Sequence, residues 1–212
     1  MTENPTAADA RRSTWIILGC ALAVVAISAG IQQTFGLYMR PISDEQGWGR
    51  EVLSLALAGQ ALIIGVATPF VAAVADKWGA PRVLFAGGLL YVAGLVAMSF
   101  SETPVTMFLN AGFAIGIAAA ATGMPLVLSI VGRTVSADRR SMWLGTVTAC
   151  ATLGQFLVVP FSQQMIAAYG WPVALIAVAC VVGLIVPLAL TIGRMVGTSA
   201  EAPSTQRLGE AL

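Results

Sequence analysis

The spacing of charge along this chain leaves it few ways to fold. Between Arg12 and Arg40 stand 27 uncharged residues, between Glu51 and Asp76 stand 24, between Arg82 and Glu102 stand 19, and between Glu102 and Arg133 stand 30. A fifth run, from Arg140 to Arg194, holds 53. A helix of about 20 apolar residues crosses roughly 30 Å of hydrocarbon. Each of the first four runs is one crossing. The fifth is two, because Gln163, Gln164 and then Tyr169-Gly170-Trp171-Pro172 interrupt it with turn formers and interfacial aromatics. The pattern predicts an all-α integral membrane protein with six spans, at about 14–39, 52–75, 83–101, 104–131, 142–167 and 172–193. Polar tails at 1–13 and 197–212 flank a bundle over 14–196.

Composition agrees. Hydrophobic residues make up 58% and charged residues 10%, where a soluble domain carries about 45–50% and about 25%. Strands of a membrane barrel would alternate over about ten residues, and these runs are continuously apolar. The first run is also far longer than the roughly 7–15-residue core of a signal peptide. Nine of the eleven Lys and Arg fall on one side of the predicted membrane, leaving Arg40 and Arg50 on the other. The positive-inside rule then predicts both termini in the cytoplasm. A net charge of +1 argues against nucleic acid as a partner.

An intramembrane enzyme needs acids, bases or nucleophiles at depth. The six predicted spans hold no Asp, Glu, Lys, Arg or His, so no catalytic residue is expected and nothing implies a metal or cofactor. Cys20, Cys150 and Cys180 read as small packing residues. The polar groups at depth are neutral. Most Ser and Thr are expected to bond back to their own helix. Amides are harder to satisfy alone, and the adjacent Gln32 and Gln33 point about 100° apart, so at least one faces a cavity or a helix partner. Gly112-x-x-x-Gly116, with Gly87, Gly88, Gly94, Gly145 and Gly154, predicts close helix contacts.

The loop between spans two and three reads Ala72-Ala73-Val74-Ala75-Asp76-Lys77-Trp78-Gly79-Ala80-Pro81-Arg82. Asp76 is an anion at a helix end, suited to a neighbouring helix N-terminus; Gly79 permits a tight turn; Arg82 suits a carboxylate such as Asp76. In frame and position this loop resembles the signature of the major facilitator superfamily, with Ala72 where the family usually has glycine. Gly47-Trp48-Gly49-Arg50, Arg139-Arg140 and Gly170-Trp171 resemble its monocarboxylate and oxalate/formate branch.

The resemblance implies one six-helix half of a twelve-helix carrier, built as two inverted three-helix repeats, with substrate held between two halves. It implies secondary transport of a small solute, a small carboxylate by branch, through alternating access. The implied partners are the bilayer, the substrate and a second six-helix half, either a copy of this chain or a separate one. In a bacterium the location would be the inner membrane. Gln32 and Gln33 fall where the first half meets substrate, with Asn110 and Gln155 as further candidates. Asp76, Lys77, Gly79, Arg82, Arg139 and Arg140 would form the gating loops, Asp76 bonding across the contact between halves. Monocarboxylate members often carry a lysine in span one, and this chain has none there. The alternative is a truncated or accessory membrane subunit that transports nothing.

Overall fold

A computed structural model describes residues 5–200. Its helices are α1 (Pro5–Gln46), α2 (Arg50–Trp78), α3 (Ala80–Ser99), α4 (Pro104–Met107), α5 (Ile115–Thr122), α6 (Met124–Thr134), α7 (Ala137–Tyr169), α8 (Trp171–Gly183) and α9 (Ile185–Ala200). Phe108–Ala114, between α4 and α5, is a π-helical segment. The described residues make six spans long and apolar enough to cross a bilayer: Thr14–Gln46, Arg50–Trp78, Ala80–Ser99, Pro104–Thr134, Asp138–Tyr169 and Trp171–Met195. The six-span expectation is met, and its boundaries move.

Span 1 runs past residue 39 because tertiary contacts hold the extra turns. Ile42 is fully buried, and the Trp171 indole N–H donates to Glu45 Oε2 at 2.7 Å. Arg40, Asp44 and Glu45 therefore extend the first membrane helix. The expected polar tail at 1–13 is helical from Pro5, and the expected tail at 197–212 is helical to Ala200; residues 1–4 and 201–212 lie outside the described part.

Two spans expected as single helices are interrupted. Span 4 breaks at Gly123, whose backbone is extended (φ −74, ψ 173). Pro125, two residues on, has no N–H to continue the ladder. Span 6 breaks at Leu184, where Pro187 leaves the carbonyl of Gly183 without its helical donor. Pro69 and Pro160 sit inside α2 and α7 without a break.

Two hairpin turns share one construction. α2 and α7 end on Gly79 and Gly170, with φ of 92 and 81, in a region where a Cβ is strained. Their N–H groups bond Ala75 and Ile166 carbonyls at 2.9 and 3.0 Å. Pro81 and Pro172 then open the next helix, where a missing N–H costs nothing. Ten residues before each glycine stands a proline, Pro69 or Pro160. Gly79 thus makes the turn expected of it.

Span 1 packs along span 5, and span 2 along span 4. Span 3 packs against spans 4 and 6, and span 6 also meets span 1. Glycines set the close approaches. A Cβ on Gly154 would lie 1.9 Å from the carbonyl oxygen of Ala26, and one on Gly112 3.2 Å from that of Ala56. Gly87 and Gly94 bring span 3 onto Ala121 and Ile115 of span 4. Gly145 makes no such approach, against expectation, and Cys180 is exposed while Cys20 and Cys150 are half-buried. Spans 2 and 5 bury little of themselves and turn outward an apolar face that includes Leu62, Phe70, Phe156 and Leu157.

Candidate functional site

Near the middle of the bundle, Ser28 of span 1 and Thr122 of span 4 are buried against each other, hydroxyl to hydroxyl at 3.2 Å. Thr122 donates its proton to the Ala118 carbonyl at 2.9 Å, so Ser28 is the donor of the shared bond. One turn further along span 1 the environment opens. Gln32, Gln33, Gly36 and Arg40 are all exposed, and a Cβ on Gly36 would meet no atom within 4 Å. At 100° per residue, Gln33 and Arg40 differ by only about 20°, two turns or about 10 Å apart along the axis. The result is a polar stripe on a helix otherwise packed against spans 5 and 6.

Among the described residues, the side chains of Gln32 and Gln33 form no hydrogen bond within the chain. Such amides facing lipid would cost several kcal/mol each, on the order of the water-to-hydrocarbon penalty. The face that carries them suits water, a solute or another protein surface.

The other two candidate amides lie elsewhere. Gln155, half-exposed, follows Gly154 at the crossing of spans 1 and 5. Asn110 sits in the π-helical segment, which packs on spans 2 and 3, and its Nδ2 donates to Ser101 Oγ at 3.0 Å. That bond fastens the loop before span 4, so Asn110 is committed within the chain. Gln60 is an amide outside the expected site residues. It is 4% exposed, and its Nε2 has no hydrogen-bond partner, facing span 4 where Gly116 approaches its backbone. Its type and depth were visible in sequence, but not its orphaned donor. Most of the hydroxyls behave as expected: Thr34, Thr68, Thr146, Thr148 and Thr152 each donate to a carbonyl of their own helix.

At the end of the bundle that holds the second–third loop, Arg133 of span 4 donates to Asp76 Oδ1 of span 2 at 2.5 Å, and the two form a salt bridge. They line a cavity of about 170 Å³ between these spans, together with Thr68, Ala72 and Ser129. Asp76 is therefore paired with a cation of the neighbouring span within the same bundle. Arg82, expected to suit a carboxylate, instead donates to the Trp78 carbonyl at 3.4 Å. Lys77, Arg139 and Arg140 are exposed; the Arg140 guanidinium lies over Gly132. Both partners of the salt bridge are more than half exposed, and exposed pairs contribute about 0–1 kcal/mol. We expect Asp76→Asn to move the thermal unfolding of the purified chain by less than about 1 kcal/mol, read by circular dichroism in detergent. No group of His, Cys, Asp and Glu among the described residues has the arrangement to hold a metal ion.

The family model described as Major Facilitator Superfamily matches residues 15–210. Among curated proteins, the chain is 27% identical over 208 residues to monocarboxylate transporter 11 of Mus musculus, covering 90% of this chain and 44% of that one. It is 27% identical over 164 residues to monocarboxylate transporter 2 of Homo sapiens, covering 74% of this chain and 32% of the relative. Monocarboxylate transporter 7 of Homo sapiens is 26% identical over 168 residues, covering 77% and 31%. The chain thus spans less than half the length of the curated relatives it matches.

Proposed function

The chain belongs to the major facilitator superfamily, a family of membrane transporters and not of enzymes, and we propose that it forms one wall of a secondary carrier for a small carboxylate. The second wall would come from another six-helix unit, and the two would rock to give alternating access. The observation that carries this reading is the open stripe of Gln32, Gln33, Gly36 and Arg40. Polar groups without internal partners on a membrane helix need a wet cavity or a second protein surface. The monocarboxylate transporters among the relatives support the substrate class. Neutral amides can bond a carboxylate without burying a charge in this half, and Gln155 is the further candidate beside them.

The packing supports an inverted repeat. Exchanging spans 1, 2 and 3 for 4, 5 and 6 turns the contact of spans 1 and 5 into that of 4 and 2. It turns the contact of 3 and 4 into that of 6 and 1, and leaves 3 with 6. The two proline–glycine–proline turns follow the same exchange. Nine Lys and Arg on the side of the second–third loop support cytoplasmic termini, and an inner membrane if the cell is bacterial.

In this reading Asp76 and Arg133 hold spans 2 and 4 together at the cytoplasmic end, and the gating loops of Asp76, Lys77, Gly79, Arg82, Arg139 and Arg140 face the second half. Asp76→Asn should then lower turnover several-fold in the assembled carrier while leaving assembly intact. Equal turnover would confine the salt bridge to a local structural role.

The experiment that tests the function is counterflow of labelled small carboxylates in liposomes. Uptake of at least one carboxylate by the chain, alone or reconstituted with a second six-helix unit, is the predicted result. No counterflow across the panel from either preparation, with inserted and monodisperse protein, would favour the accessory-subunit alternative.

A further inference from the structure

Between the ends of spans 1, 4 and 5 lies a cavity of about 500 Å³, one of whose lining residues, Arg139, also belongs to the gating loops named above. Its lining has two characters. Trp15, Leu18 and Trp143 make an apolar side, and Thr134, Ser136 and Arg139 make a polar one. The rings of Trp15 and Trp143 meet edge to face, their centroids 5.5 Å apart, which joins the start of span 1 to the start of span 5. Tryptophans at helix ends mark the level of the lipid headgroups.

The cation on the polar side is uncommitted. Arg133 is held by Asp76 and Arg140 lies over Gly132. Arg139, exposed in the first turn of α7, has no ion pair or side-chain hydrogen bond among the described residues. Asp138 stands on the same turn but is not part of the cavity wall. The N-terminus of a 33-residue helix adds positive potential at the same place.

We propose that this cavity binds the phosphate of an anionic phospholipid. Arg139 takes the phosphodiester, whose planar pairs of oxygens match a guanidinium, and the tryptophan side takes the first methylenes of an acyl chain. A free phosphate would use the polar side and leave the apolar one empty; an amphiphile uses both. Basic pockets between membrane helices bind anionic headgroups in this manner. The inference shares Arg139 with the gating loops but does not require transport; it requires only that the six spans lie in a bilayer.

The test uses the purified full chain in detergent, stripped of lipid and titrated with phosphatidylglycerol, phosphatidylcholine or inorganic phosphate. Native mass spectrometry reads occupancy and thermal unfolding reads stabilisation. Phosphatidylglycerol should bind at least tenfold tighter than phosphatidylcholine. Arg139→Gln should abolish that preference, Arg139→Lys should retain part of it, and Arg50→Gln, at the opposite end of the bundle, should leave it unchanged. Trp143→Ala should weaken both lipids several-fold, and inorganic phosphate should not compete at millimolar concentration. Equal binding of the two lipids, or a preference that survives Arg139→Gln, overturns the proposal. Inorganic phosphate that binds as tightly as the lipid, with Trp143→Ala without effect, assigns the cavity to a free anion and overturns it as well. Should Arg139→Gln prove unstable, Arg139→Lys and Trp143→Ala decide: if both bind as the unaltered chain does, the proposal fails.

Discussion

Gly154→Leu should prevent spans 1 and 5 from packing, and Gly154→Ala alone should lower the stability of the bundle by about 3 kcal/mol, the upper end of ordinary overpacking costs. The reason is a single distance: a Cβ at residue 154 would lie 1.9 Å from the Ala26 carbonyl oxygen, with the Ala26 carbonyl carbon at 2.5 Å. Neither atom belongs to a side chain that can swing away. The two helices must separate, and the contact at Gly30, where a Cβ would come within 2.7 Å of the Gly154 carbonyl, opens with them. Gly145 is the control on the same helix. A Cβ there meets nothing within 4 Å, so Gly145→Ala should stay within about 1 kcal/mol of the parent, the scale of helix propensity alone. Thermal unfolding in detergent, followed by circular dichroism, separates the two. Equal midpoints for Gly154→Ala and Gly145→Ala would mean that the crossing of spans 1 and 5 is looser than described.

The second large effect concerns transport. In an assembled carrier that takes up a carboxylate, Gln33→Ala should reduce uptake at least tenfold, and Gln32→Ala several-fold. Gln33 shares its line on the helix with Arg40 and opens beside Gly36, so it is the amide best placed toward a solute. A lost hydrogen bond to a charged partner is worth about 1.5–3 kcal/mol, which at about 1.4 kcal/mol per factor of ten gives one to two decades. Insertion and thermal stability should not change, because neither amide bonds within the chain. Gln163→Ala, an exposed amide near the far end of span 5, should leave uptake unaltered. Unchanged uptake in both span-1 variants would remove them from the solute path.

Which parts of this arrangement the amino-acid sequence discloses follows from the range of the forces involved. Charge gaps are local and strong, since a single buried ion outweighs many apolar contacts, so six spans are legible without coordinates. Turn chemistry is equally local, and Gly79 and Gly170 occupy the left-handed turns their neighbours imply. The ends of helices are another matter. The extra turns of span 1 depend on Glu45 meeting Trp171, residues 126 apart in the chain, and no local pattern announces that. The breaks at Gly123 and Leu184 depend on which proline finds its freed carbonyl tolerable: Pro69 and Pro160 leave α2 and α7 intact, while Pro125 and Pro187 accompany breaks.

The candidate site divides in the same way. Residue type identified the amides, but partner choice distinguishes them. Asn110 is tied to Ser101 and Gln60 is buried with an orphaned donor, while Gln32 and Gln33 stand open. Asp76 was legible as a loop acid, whereas its cation, Arg133, lies 57 residues away and becomes a neighbour only once spans 2 and 4 pack.

Everything functional here rests on the claim that the stripe from Gln32 to Arg40 borders water and not lipid. Cysteine accessibility tests it most directly. In a background with Cys20, Cys150 and Cys180 replaced by alanine, Gln33→Cys, Gly36→Cys and Leu184→Cys would each be exposed to a membrane-impermeant thiol reagent in intact membranes. Positions 33 and 36 should react, and position 184, on an exposed apolar part of span 6, should not. Stripe positions as unreactive as position 184 would contradict the account.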